Sequence, residues 1–168
     1  MAFSIIDSCI GCTACTKVCP VAAIAGERGS VHVIARERCI ECGACGRVCP
    51  KNSVLDDNGA AVAKLAQAEW KRPEFDLSRC ISCALCEEKC PASCIVMAGS
   101  ASRPEPRPAG SHLAGSKYWP RLERPEKCVS CGWCAFYCPM SCITILAPRS
   151  AKTAAQPAAK SASSEALA

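Results

Sequence analysis

The chain has 168 residues, of which 18 are cysteine, 12 proline and 10 glycine, and only 5% are aromatic. A cysteine share above roughly 8 to 10% is typical of small scaffolds organised by covalent or coordinate bonds, which argues against a domain held by a large apolar core. The formal net charge of +5 counts every cysteine as a neutral thiol. Metal ligation would remove those protons, so the basic balance is no evidence for a nucleic acid partner.

The N-terminal residues show no basic stretch followed by an apolar run, and no segment has the roughly 18 apolar residues that cross a bilayer. We therefore expect a cytoplasmic protein without membrane insertion. Thiols stay reduced in that compartment, so an array of cysteines there indicates metal binding rather than disulfides.

Sixteen of the cysteines fall into four copies of the spacing C-x2-C-x2-C-x3-C-P, which is an internal repeat. The four units are Cys9, Cys12, Cys15, Cys19; Cys39, Cys42, Cys45, Cys49; Cys80, Cys83, Cys86, Cys90; and Cys128, Cys131, Cys134, Cys138, each followed by proline. That proline suits the first position of a short helix, so each unit predicts a loop, a helical turn and a short strand.

Apolar branched residues recur at two positions of every unit and are the predicted core: Ile10, Ile40, Ile81 and Val129 after the first cysteine, and Ile24, Val54, Ile95 and Ile143 five residues after the fourth. Short β-prone segments are predicted to pair as ribbons inside each half: 3–6 and 31–34 in the first, 75–77 and 143–146 in the second. The sequence therefore predicts an α+β fold of two small tandem modules.

In chain order, we expect a first module at residues 1–58, a linker at 59–73 and a second module at 74–148, with an insertion at about 99–125. Residues 60–70 contain no glycine or proline, so the linker is predicted to be helical. The tail, 149–168, is rich in Ala, Ser, Lys and Pro and is predicted to be disordered, because it has too little apolar surface to offset its ordering entropy.

The insertion is rich in proline and carries the aromatic pair Tyr118 and Trp119. One interpretation is a solvated, polyproline-like surface loop. The other is a docking arm whose aromatic residues anchor a partner.

Three cysteines at three-residue intervals can place three thiolates around one loop, on three corners of an iron-sulfur cubane. Zinc sites usually combine two separated C-x2-C pairs and leave the third cysteine of such a loop without a use. In the two-cluster ferredoxin pattern with this spacing, the fourth cysteine of one unit ligates the other cluster. Applied twice, the rule predicts four 4Fe-4S clusters with these ligands: Cys9, Cys12, Cys15, Cys49; Cys39, Cys42, Cys45, Cys19; Cys80, Cys83, Cys86, Cys138; and Cys128, Cys131, Cys134, Cys90. Sixteen thiolates and four oxidised cores would bring the net charge to roughly −3.

Cys94 and Cys142 lie outside the four units, at positions where the first half has Ala23 and Ser53. This alignment with small residues favours packing near a cluster over ligation. No catalytic set is apparent, since His32 and His112 have no neighbouring carboxylate and no phosphate-binding glycine loop occurs. The aromatic loop of the fourth unit, Trp133 to Tyr137, predicts local core packing, with a contact surface as the alternative.

Residues 1–56 resemble a bacterial 8Fe-8S ferredoxin of the clostridial type, from Ser4-Ile5-Ile6-Asp7-Ser8-Cys9 to Cys49-Pro50, and residues 74–146 resemble the same family with an insertion. Two fused modules also resemble polyferredoxin subunits, including the small subunits of tungsten-dependent aldehyde oxidoreductases and benzoyl-CoA reductase complexes. The resemblance implies electron transfer rather than catalysis. Its partners would be a large catalytic subunit and a second electron-transfer protein. The alternatives are a free polyferredoxin and an iron-sulfur scaffold protein.

Overall fold

The computed structural model describes residues 3–99 and 118–148, and it forms two halves built from short elements. The first half contains β1 (Ser4–Ile5), α1 (Ala14–Val18), β2 (Ile24–Ala25), β3 (Val33–Ile34), α2 (Ala44–Val48) and β4 (Val54–Leu55). The second contains β5 (Arg72–Phe75), α3 (Leu85–Glu88), β6 (Ile95–Gly99), β7 (Tyr118–Leu122), α4 (Trp133–Phe136) and β8 (Ile143–Leu146). Single 3-10 turns occur at Gln67–Glu69 and Pro125–Lys127.

The strands form four two-stranded antiparallel ribbons, two in each half. β1 pairs with β4 and β2 with β3, while β5 pairs with β8 and β6 with β7. In the second half the predicted segment 143–146 forms β8, but its partner β5 spans Arg72–Phe75 and shares only Phe75 with the predicted segment 75–77. The first half differs from the prediction, because its segments 3–6 and 31–34 pair with β4 and β2 instead of with each other. Such short strands leave the choice of partner to tertiary packing.

Two predictions about helices are wrong, one for the four repeat units and one for the linker. The helix of each unit precedes the fourth cysteine, and the proline after that cysteine begins a turn. The linker is also not helical. Ala61 forms a bridge with Leu55, the amide of Leu65 donates to the carbonyl of Arg47, and the chain stays irregular until the turn at Gln67–Glu69. Here contacts with the first half outweigh the helix propensity of an alanine-rich segment.

The burial of the eight predicted core residues depends on their position in the repeat unit. Five residues after the fourth cysteine, Val54, Ile95 and Ile143 are buried and Ile24 is half-buried. After the first cysteine only Val129 is buried, and Ile10 is 51% exposed, which corrects its prediction as a core residue. The predicted tail, 149–168, and positions 100–117 of the insertion lie outside the described residues.

Gly46 in α2 provides a test of close packing against the linker. A Cβ atom there would lie 2.3 Å from Cβ and 2.5 Å from Cγ1 of Val62. We expect Gly46→Ala to lower the free energy of unfolding by about 1 to 3 kcal/mol through overpacking, measured by anaerobic denaturant titration. In a Val62→Gly background the same change should cost much less, since the obstructing Cβ atom and both methyl groups are gone. An equal cost in both backgrounds would contradict the contact.

Candidate functional site

Four cavities, which we call cages, lie at the centre of the two halves, and each is lined by four cysteines of the repeat. Cage one contains Cys9, Cys12, Cys15 and Cys49, and cage two contains Cys39, Cys42, Cys45 and Cys19. Cage three contains Cys80, Cys83, Cys86 and Cys138, and cage four contains Cys128, Cys131, Cys134 and Cys90. The structure thus brings together the cysteines of each predicted ligand set, with the fourth cysteine contributed by the neighbouring unit. Their ligation of iron stays a prediction.

The cages are nearly equal in size, with about 340, 320, 330 and 330 Å³ of empty space in cages one to four, open solvent included. The residue after each first cysteine lines the same cage as that cysteine: Ile10, Ile40, Ile81 and Val129. These side chains therefore cover the cavities, which explains why the position is always apolar although it is not always buried.

Each cage is formed by strained backbone. Every unit has three residues in the left-handed region: Gly11, Thr13 and Ala22; Glu41, Gly43 and Asn52; Ser82, Ala84 and Ser93; and Ser130, Gly132 and Ser141. Nine of these twelve carry a side chain, and such residues cost energy in this region. Repeated strain at equivalent positions is typical of ligand clamps. The repeat therefore fits a group bound inside each loop.

Electrostatics show that the cages are unfavourable for bare thiolates. Burial is the main cause that raises the pKa of Cys45 and Cys134 to about 12 and that of Cys86 to about 11, with neighbouring cysteines raising it further. A group of positive charge that binds all four sulfurs would offset both effects. The donor set therefore fits an iron-sulfur core, which has that charge and requires deprotonated cysteine.

The two halves meet at a small apolar core built around Trp70. Trp70 is 1% exposed and packs with Ala44 of the first half and Val129 of the second. Cys42 of cage two and Cys131 of cage four pack against this same core. Cages two and four are therefore the inner pair, and their second cysteines are half-buried, whereas those of cages one and three, Cys12 and Cys83, are exposed.

Arg47 joins the halves beside the inner cages. Its guanidinium donates to the carbonyl of Cys42 at 3.0 Å and to that of Val129 at 2.5 Å, and it lies 4.6 Å from the centroid of the Trp70 ring. Burial lowers the pKa of Arg47, and the charges of Cys42 and Cys45 oppose that shift. A half-buried cation thus lies close to cysteines of cage two.

Cys94 and Cys142 are buried beside the second-half cages. Hydrogen bonds from the Cys94 side chain, the largest cause, hold the pKa of Cys90 at about 5 and that of Cys128 at about 6. The reciprocal bonds raise the pKa of Cys94. Burial raises the pKa of Cys142 to about 12, helped by its bond to Cys138. Both residues lie at the edge of a cage, in agreement with the expected packing near a cluster.

His32 has a closer relation to a cage than the sequence indicated. It is 1% exposed, lines cage one, and donates from Nδ1 to the carbonyl of Ser30 at 3.1 Å. Its Nε2 is buried without a hydrogen-bond partner. The ring packs against Gly26, where a Cβ atom would approach it to 2.8 Å. In the sequence, only the glycine at position 26 pointed to a close contact of this kind. His112 lies outside the described residues.

The aromatic residues of the second half separate into core and surface. Trp119 is buried in β7, which contradicts its interpretation as an exposed anchor. Phe136 is 80% exposed and Tyr137 is 38% exposed, with their rings 5.1 Å apart. Phe136 therefore does not pack in the core, contrary to the prediction, and the alternative of a contact surface agrees better with the structure.

No helix within 3–99 and 118–148 is long and apolar enough to cross a membrane. In the same residues, no three His, Cys, Asp or Glu side chains form a site for a single metal ion.

Comparison with known families and structures agrees with ferredoxin-type domains. Residues 8–55 and residues 38–94 each match a 4Fe-4S dicluster domain, and residues 124–144 match a 4Fe-4S binding domain. The chain therefore carries 4Fe-4S domains of the ferredoxin type. The second match joins the second and third units, whereas the cages combine the first unit with the second and the third with the fourth.

No curated protein sequence matches the chain. Among solved structures, a chain of the formate dehydrogenase, heterodisulfide reductase and formylmethanofuran dehydrogenase complex of Methanospirillum hungatei is similar at 21% identity with a TM-score of 0.38. The match covers 82% of this chain and 47% of that chain, so the present chain spans about half of its length.

Proposed function

We propose that the chain transfers electrons through four 4Fe-4S clusters, one held in each cage, as the non-catalytic iron-sulfur subunit of a multisubunit oxidoreductase. The observation that carries the proposal is the grouping of sixteen cysteines into four cavities of nearly equal size. A cubane bound by four cysteines undergoes one-electron oxidation and reduction and offers no open coordination site to a substrate.

The residues around the cages would hold the clusters, shield them from water and set their order in space. The cages follow one another in the spatial order one, two, four, three, because cages two and four meet at the core of Trp70 and Val129. This order differs from the order along the chain. Apolar residues such as Ile40 and Ile81 limit the access of water, while Arg47 places a positive charge beside the inner pair. Both factors tune the potential of an iron-sulfur centre.

The two ends of this arrangement support an exchange with partner proteins. Cys12 at one end and Cys83 at the other are exposed, so the outer cages are the ones that a donor or acceptor can approach. Phe136 and Tyr137 add an exposed aromatic surface beside Cys134 and Cys138. Aromatic residues are enriched at protein interfaces. The expected partners are a large catalytic subunit, such as that of a tungsten aldehyde oxidoreductase, and a second electron-transfer protein.

Native purification without oxygen tests this proposal. We expect about sixteen irons per chain, four for each cage, and co-elution with a large subunit that contains a second metal. The measurements are the mass of the native assembly and the content of iron, tungsten, molybdenum and nickel. A single species with about sixteen irons would instead indicate a free polyferredoxin. Iron far below that value in intact protein would contradict the number of clusters.

A further inference from the structure

Two buried thiols of the second half point at cage sulfurs. Cys94 is 2% exposed, and its Sγ lies 3.4 Å from the Sγ of Cys90. The Cys94 side chain also forms a hydrogen bond with that of Cys128. Both partners line cage four, so one additional thiol contacts two sulfurs of the same cage.

Cage three repeats this arrangement. Cys142 is 4% exposed, and its Sγ lies 3.4 Å from the Sγ of Cys138. Its side chain also forms a hydrogen bond with that of Cys80, and both partners line cage three. The same contact thus occurs twice, at the position four residues after the fourth cysteine of a unit.

The first half has the matching backbone without these thiols. The amide of Ala23 donates to the Sγ of Cys19 at 3.2 Å, and the amide of Ser53 donates to the Sγ of Cys49 at 3.3 Å. The equivalent amides of Cys94 and Cys142 make the same bonds at 3.4 Å in the second half. The difference between the halves at these positions is therefore the side chain. Alanine has no donor, so cage two lacks a side-chain donor at this position. The hydroxyl of Ser53, at the equivalent position beside cage one, accepts a bond from Ser8 at 2.8 Å and keeps a hydrogen of its own.

A sulfur that binds iron is deprotonated, so it can only accept a hydrogen bond. The Sγ atoms lie 3.4 Å apart in both pairs, so in each S-H to S contact the donor is Cys94 or Cys142 and the acceptor is the sulfur that lines the cage. Reduction adds negative charge to a cluster and its ligands, and a hydrogen bond to a ligand sulfur favours that reduced state.

We infer that Cys94 and Cys142 are thiol donors that raise the reduction potentials of the clusters in cages four and three. This inference rests on the proposed function, because it requires 4Fe-4S clusters in the cages. It assigns the two cysteines outside the repeat to positioning and tuning roles, distinct from ligation.

Redox titration of the holoprotein, followed by visible absorbance and by electron paramagnetic resonance, tests the inference. In Cys94→Ala, one of the four one-electron steps should move to lower potential. At the midpoint of the original step, the ratio of oxidised to reduced cluster should rise about tenfold, which is 59 mV for a one-electron couple. Cys142→Ala should move a different step in the same direction. Cys94→Ser keeps a donor and should retain at least half of the effect.

Ala23→Cys is the matched gain of a donor, and it should move one step to higher potential. If Cys94→Ala contains about sixteen irons and no step moves, the inference is wrong. A shift in Cys94→Ser equal to that in Cys94→Ala would also overturn it, since packing alone would then explain the result. If Cys94→Ala loses its cluster, the test is Ala23→Cys, and the absence of a shift to higher potential in that variant would overturn the inference. A parent protein that binds no iron would overturn the proposed function as well, and iron analysis recognises that case before any variant is made.

Discussion

Replacing Cys19 with alanine should remove iron from cage two and leave iron in cage one, although the other three cysteines of its repeat unit line cage one. Cys19 follows α1, the helix that carries Cys15 of cage one, yet it lines cage two together with Cys39 and Cys42. Alanine offers no ligand atom, so one of four clusters should be lost and iron should fall from about sixteen to about twelve per chain. The measurement is iron and sulfide content after anaerobic reconstitution.

Double variants show which cluster is lost. Cys19→Ala combined with Cys39→Ala should also retain about twelve irons, because both cysteines line cage two. Cys19→Ala combined with Cys9→Ala should retain about eight, since Cys9 lines cage one. The reverse result, with additive loss in the first pair and no additional loss in the second, would show that Cys19 serves cage one. Cys49→Ala is the mirror-image control for cage one.

Trp70→Ala should weaken the packing between the two halves and lower the free energy of unfolding. Trp70 is fully buried between Ala44 and Val129, its Nε1 donates to the carbonyl of Leu65 at 3.2 Å, and Arg47 lies over its ring. Removal of a buried tryptophan side chain typically costs about 3 to 5 kcal/mol. We expect a loss of that size in the free energy of unfolding, measured by denaturant titration of the cluster absorbance.

The cages do not include Trp70, so the variant should keep its iron while the magnetic interaction between reduced clusters of the two halves weakens. Leu65→Ala is the control from the same segment, because Leu65 is 38% exposed. Its backbone carbonyl remains available to the indole, and a surface change of this kind usually alters stability by less than about 0.5 kcal/mol. Equal denaturant midpoints for the two variants would argue against a stabilising junction at Trp70.

The cysteines of each cage could be grouped from their spacing, because three of them lie on one loop and a 4Fe-4S cluster takes four ligands. Two residues between successive cysteines place three sulfurs on one loop, and the fourth sulfur must come from another unit. The structure groups the same sixteen residues around four cavities. The buried Val54, Ile95 and Ile143 also follow from the repeat, since the strand after each loop returns one apolar side chain towards the cages.

The sequence by itself determined the repeat, the grouping of the cysteines and the short strand after each unit, because all of these depend on the order of neighbouring residues. Tertiary structure decided which ribbons pair, since strands such as β1 and β4, two residues each, specify no partner alone. It also placed Trp70 and Arg47 at a junction between cages two and four, and turned His32 towards cage one. These features depend on contacts between distant parts of the chain, and burial of apolar surface at such contacts favours one packing of the halves without leaving a local pattern.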